Sequence, residues 1–93
     1  MLVHVVLMKF SDAGDAAKAR LRLEELADVV PAIRSMEVRT DELATEVSWH
    51  LHMRTTHHDA GDLLAYQSHP AHREFGVWVR PLLASRAVVD WTA

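Results

Sequence analysis

The first ten residues restrict the fold more than any other segment. Val3, Val5 and Leu7 alternate with His4, Val6, Met8 and Phe10, so a strand over residues 2–10 is apolar on both faces. Such a strand belongs in the middle of a sheet and needs a cover on each side. The run is far too short to span a bilayer. It also lacks the positive leading segment and small-residue cleavage site of a signal peptide. No membrane partner is expected.

The rest of the chain supplies one of the two covers. Ser11 to Asp15 is a turn with N-cap candidates, and residues 16–29 are strong helix formers with Leu23, Leu26 and Val30 at helical spacing. Pro31 closes that helix. Residues 35–40 alternate as a strand, and Asp41 to Thr45 reads as a loop. A second alternating strand is expected over 47–55, with Val47, Trp49, Leu51 and Met53 on one face and Ser48, His50, His52 and Arg54 on the other. A helix follows from 59 to 68, breaks at Pro70, and resumes to about Leu83. Residues 86–91 close as a strand.

The order β-α-β-β-α-β defines a ferredoxin-like α+β fold: a four-stranded antiparallel sheet with both helices on one face. With 93 residues the chain makes one domain, 1–93. The helices leave the sheet face bearing Val3, Val5 and Leu7 bare. A second copy of the chain is its natural cover, which predicts a homodimer with the sheets face to face, a dimeric α+β barrel.

The chemistry concentrates in Tyr66-Gln67-Ser68-His69-Pro70-Ala71-His72. Proline lacks an N–H and restricts its predecessor, so the helix carrying Tyr66 ends near Ser68 or His69. Pro70 suits the first position of a new helix, and His72 is then turned back towards the phenol. A neutral imidazole accepts a proton near pH 7 and a phenol donates a hydrogen bond. Such a pair could take a proton from carbon and steady the resulting oxyanion. The structural alternative is that both side chains finish a cap or a hydrogen-bond network. His4, within its apolar strand, likewise has a plain reading as a buried histidine satisfied by a neighbour.

Composition removes several other classes. There are no cysteines, so disulfides and thiolate metal sites are excluded, which fits a cytoplasmic location. Ten basic and thirteen acidic residues are mixed without blocks, for a net charge of −3, so no nucleic-acid face is expected. His50 and His52 share a face of the expected strand, but no third ligand stands at a fixed spacing. Pro70 likewise disrupts the helix between His69 and His72. No metal or cofactor is expected.

The opening His4-Val5-Val6-Leu7-Met8-Lys9-Phe10, Val30-Pro31-Ala32-Ile33, the Tyr66 to His72 segment and Val88-Val89-Asp90-Trp91 together resemble the Dabb family, the stress-responsive dimeric α+β barrel domain. In its cyclase-type members, the resemblance implies, the histidine matching His72 is a general base for aldol closure of a poly-β-keto chain, assisted by the tyrosine matching Tyr66. The histidine matching His4 faces the same pocket, with Val6, Met8, Met53, Phe75, Gly76 and Leu83 as walls. Those members carry bulky aromatics on the first helix, where this chain has Ala19-Arg20-Leu21-Arg22-Leu23, so a pocket of different shape, or a filled one, is implied. Most members have no assigned reaction. The first expectation is thus a small-molecule-binding protein without assigned reaction, taking a small hydrophobic or β-keto ligand. The alternatives are a cofactor-free polyketide cyclase or lyase and a cofactor-independent monooxygenase. An open cavity reaching an unpartnered His72 favours chemistry; a filled interior favours binding alone.

Overall fold

A computed structural model describes residues 1–93. Its elements are β1 Leu2–Phe10, α1 Asp15–Val29, β2 Ser35–Thr40, β3 Leu51–His57, α2 Ala60–Ser68, α3 Pro70–Val79 and β4 Leu83–Thr92. The sheet order is β2-β3-β1-β4, antiparallel throughout. This is the ferredoxin-like βαββαβ fold, with the doubly apolar strand β1 at the centre. Its Val6, Met8 and Phe10 pack beneath Leu23 of α1 and Phe75 of α3 in one continuous core. Val30 caps α1 in an extended conformation, its N–H donating to the Leu26 carbonyl before Pro31 turns the chain away.

Three boundaries differ from the sequence reading. The third strand starts at Leu51, not at residue 47, because the preceding segment bonds to itself. Asp41 accepts the Ala44 N–H at 2.7 Å, Ala44 takes φ 51°, and the Thr45 and Ser48 hydroxyls lie 2.7 Å apart. Val47 is left in solvent. The alternation therefore slips at the junction, and His50 and His52 end on opposite faces. His50 stacks on Phe10 on the helix side, and its Nδ1 accepts the Phe10 N–H at 2.8 Å. That bond satisfies a donor at the point where the β1–β4 register shifts. His52 lies on the outer face, 4.0 Å from Glu37. The last helix stops at Val79, and a 3₁₀ turn over Arg80–Leu82 feeds β4, which begins at Leu83 ahead of the expected Arg86.

A further difference concerns the bare face. Val3 is already buried within one chain, 1% exposed, because Thr56 and Trp91 flank it in register. The open apolar surface is instead centred on Val5 and Leu7, half-buried, with Val89 and Trp91 exposed beside them.

Leu51 sits at the junction of the slipped loop and the core, 2% exposed. Leu51→Ala should lower unfolding stability by about 2–5 kcal/mol, the usual cost of such a truncation. Urea denaturation checks this, and a loss below 1 kcal/mol would show that the core under the loop collapses freely.

Candidate functional site

The site is built around the break between α2 and α3. Asp59 caps α2, its carboxylate accepting the Asp62 N–H at 2.9 Å. The helix ends at His69, whose extended backbone (φ −63°, ψ 138°) is the one a residue before proline prefers. Pro70 has no N–H to leave unpaired, and His69 Nδ1 accepts the Ala71 N–H at 3.0 Å, so one imidazole caps the new helix. With the axis bent here, the His72 ring meets the Tyr66 ring edge-on, 4.6 Å between centroids.

Tyr66 itself is sealed in. It is 1% exposed, its ring stacks on His57 at 5.4 Å, and its O–H donates to Met53 Sδ at 3.8 Å. The expectation that the phenol opens into the pocket is not met by this geometry: Tyr66 lies behind His72 and does not line the cavity. Its short side chain on α2 points straight into the sheet, where Met53 fills the space in front of the oxygen.

His72 and His4 do meet on one cavity of about 380 Å³ between sheet and helices. Val6, Met8, Met53, Phe75, Gly76 and Leu83 all form part of its wall. From α1 only Leu23 reaches it, so the absence of bulky aromatics on that helix leaves the space open. His4 Nδ1 lies 2.5 Å from the Asp90 carboxylate, across the β1–β4 pair. With Nδ1–H donating to Asp90, Nε2 remains an acceptor, and no fully enclosed side-chain nitrogen or oxygen in the chain lacks a partner. That nitrogen therefore opens onto the cavity. The Gln67 backbone carbonyl is the one protein hydrogen-bond partner of His72, which leaves a second ring nitrogen for the cavity.

Three groups escaped the sequence reading. His57 is buried, with Nδ1 2.8 Å from the Ala32 carbonyl and Nε2 2.8 Å from Thr55 Oγ1. It anchors Tyr66 from beneath. Arg86 faces the cavity from β4 by the same alternation that places Val88 and Asp90 inward, a signal present in the sequence. Arg80 reaches the wall from the position one helical turn after Gly76, its backbone still helical and its N–H donating to the Gly76 carbonyl. No three His, Asp or Glu side chains gather as a metal-binding set, and His50 and His52 point to opposite sides of the sheet.

Fold and site together define a ferredoxin-like α+β domain with a histidine-walled pocket between sheet and helices. The chain belongs to the Dabb family: residues 2–93 match its description as the stress responsive A/B barrel domain. Among solved structures, it is similar to a dimeric ferredoxin-like protein of unknown function from Thermobifida fusca (20% identity, 99% of this chain and 90% of that chain covered, TM-score 0.86). It is also similar to a dimeric protein of unknown function and ferredoxin-like fold from Bacteroides fragilis (23% identity, 99% and 95% covered, TM-score 0.83). A hydroxynitrile lyase from Passiflora edulis shares the fold at 15% identity (97% and 90% covered, TM-score 0.82). No curated protein matches the sequence. No helix is long and apolar enough to cross a membrane.

Electrostatics sets the protonation of the site. Burial holds the His72 imidazole below its ordinary value of 6.5; the Gln67 carbonyl opposes this, while Arg86, His4 and Arg80 add to it. Burial lowers His57 in the same way, against the pull of the Ala32 carbonyl. Burial pushes Tyr66 up to about 12, so the phenol is neutral at any physiological pH. For both histidines the unfolded chain binds protons more readily than the folded one. The stability tied to them is thus complete above pH 6.5 and is lost as pH falls through their folded values. The urea midpoint should drop between pH 7 and pH 5, and His57→Gln should flatten that slope. NMR titration should place both imidazoles below 6.5; values at or above 6.5 contradict this account.

Proposed function

We propose that the protein binds a small, largely apolar carbonyl compound in this cavity, and that His72 accepts a proton from it. The observation that carries this reading is His72 itself: a neutral imidazole on the wall of an open cavity, with the Gln67 carbonyl as its one internal hydrogen-bond partner and a second ring nitrogen left for a ligand. The proton leaves a carbon next to the carbonyl for an imidazole nitrogen, the C–H electron pair moves into the enolate, and negative charge develops on the carbonyl oxygen. His4, held by Asp90 with Nε2 towards the cavity, positions the substrate's polar end. Tyr66 acts as a positioning residue, its ring bracing the imidazole. Aldol ring closure and cofactor-free oxygenation begin with such a proton transfer. In a lyase cleavage the same base takes the hydroxyl proton as the carbonyl forms and the departing carbanion leaves with the electron pair, and a hydroxynitrile lyase stands among the structural neighbours. Apolar walls from Val6, Met8 and Phe75 suit the remainder of the ligand.

The working unit in this reading is a homodimer. Two structural neighbours are described as dimeric, and the exposed Val89 and Trp91 beside Val5 form an apolar patch of the kind that a second sheet covers. Light scattering at micromolar concentration should give about twice the chain mass. Val5→Glu should shift it to the monomer, because an ionised carboxylate in the middle of the interface would lose its hydration without a partner.

Deuterium uptake from solvent into a panel of enolisable ketones and β-keto compounds, followed by NMR, tests the chemistry. Uptake above the spontaneous rate should vanish in His72→Ala. Tyr66→Phe should cost less than about tenfold, below the 10²–10³ typical of an oxyanion donor, since its hydroxyl is turned to Met53. Uptake unchanged in His72→Ala would falsify the assignment of the base.

A further inference from the structure

The cavity carries charge of one sign only. Of its lining residues, His4, His72, Arg80 and Arg86 are titratable, and none is acidic. Neither arginine takes part in any of the ion pairs of the structure. The one nearby carboxylate, Asp90, is engaged by His4. Arg80 is held in place by the helix beneath it: a Cβ on Gly76 would lie 2.9 Å from its Nη2 and 3.5 Å from Cζ. The absence of a side chain at position 76 thus gives the guanidinium a seat against the helix backbone at the cavity wall. Arg86 comes from the opposite side, on β4, and its charge is felt by both His72 and Tyr66.

We propose that Arg80 and Arg86 form a recognition site for a carboxylate, so that the ligand of this cavity is an apolar molecule ending in a carboxylate beside its reactive carbonyl. This rests on the cavity being the binding site proposed above. Arg80 and Arg86 are exposed and in no ion pair, so only water meets their donors until an acceptor enters beside the apolar wall, and the fork of a guanidinium matches a carboxylate. A phosphate would ordinarily gain further donors from a helix N-terminus. At α3 two of those groups are already engaged: the Ala71 N–H by His69 Nδ1, and the Arg73 N–H by the His69 carbonyl.

Carboxylate binding has a second consequence at His72. The groups facing that imidazole are Arg86, His4, Arg80, the Gln67 carbonyl and the Tyr66 ring. A carboxylate between the arginines offsets two of the positive charges that oppose protonation, so the bound ligand strengthens the base that acts on it.

Calorimetry on the full chain with octanoate, octanamide and octyl phosphate tests the proposal. Octanoate should bind at least about tenfold more tightly than octanamide, and the preference should shrink as salt is raised. Arg80→Gln and Arg86→Gln should each weaken octanoate by about 10- to 100-fold while leaving octanamide affinity unchanged, which also shows the variants to be folded. By NMR, octanoate and not octanamide should raise the His72 pKa. Equal affinity for the acid and the amide, equal losses of both in the arginine variants, or no octanoate binding at millimolar concentration overturns the proposal. Tighter binding of octyl phosphate overturns the carboxylate assignment. Lost selectivity with intact His72-dependent deuterium uptake condemns the anion site alone. Intact selectivity without such uptake condemns the proton-transfer reading alone.

Discussion

The contact between the Tyr66 and His72 rings, made across the Pro70 break, is the interaction on which the site depends. On one continuous helix, residues six apart fall on widely separated faces. With the axis bent at His69, the two rings meet at 4.6 Å. Tyr66 is in turn fixed by the His57 ring below and Met53 in front. The imidazole of His72 therefore rests on a buried, rigid support, with the Gln67 carbonyl on one side of the ring and the cavity on the other. A flexible loop could bring the same side chains together but could not keep the imidazole at one place on a cavity wall.

Behind that contact runs a line of satisfied polar groups through an otherwise apolar core. His57 is bonded to the Ala32 carbonyl and to Thr55, and His4 to Asp90. Each imidazole nitrogen that is buried has a partner, as the cost of desolvating it demands. The nitrogens left for a ligand, His4 Nε2 and one of His72, border the cavity. The separation is physically sensible: the structural histidine is fully bonded, and the histidines free to meet a ligand are not.

The sheet divides the molecule into two unlike surfaces. The helix side holds the core, the cavity and the arginines, and the outer side holds a small apolar patch around Val5 and Val89 flanked by Glu37, Arg54 and His52. Helix packing accounts for the first, because α1 and α3 bury Leu23 and Phe75 against β1. Nothing within one chain covers the second except near Val3, which Trp91 and Thr56 already enclose.

Local sequence determined the strand and helix order, the central place of β1 and the break at Pro70. Each follows from short-range rules: two apolar faces, helical spacing, and a residue without an N–H. The inward direction of His4, Val6 and Met8 was legible for the same reason, since alternation is a property of one strand. The start of β3 was not. A turn closed by Asp41, Thr45 and Ser48 outcompeted the alternation of residues 47–50 and put His50 and His52 on opposite faces. The Asp90 partner of His4, the burial of His57 and the arrival of Arg80 and Arg86 at one cavity depend on strand register and on how α3 lies over the sheet. Those are decided by long-range pairing, because side chains 86 positions apart, as His4 and Asp90 are, are brought together by the closed sheet and by nothing local. The direction of the Tyr66 hydroxyl belongs with them: the sequence places the phenol beside His72, but only the packing of Met53 turns its oxygen away from the cavity.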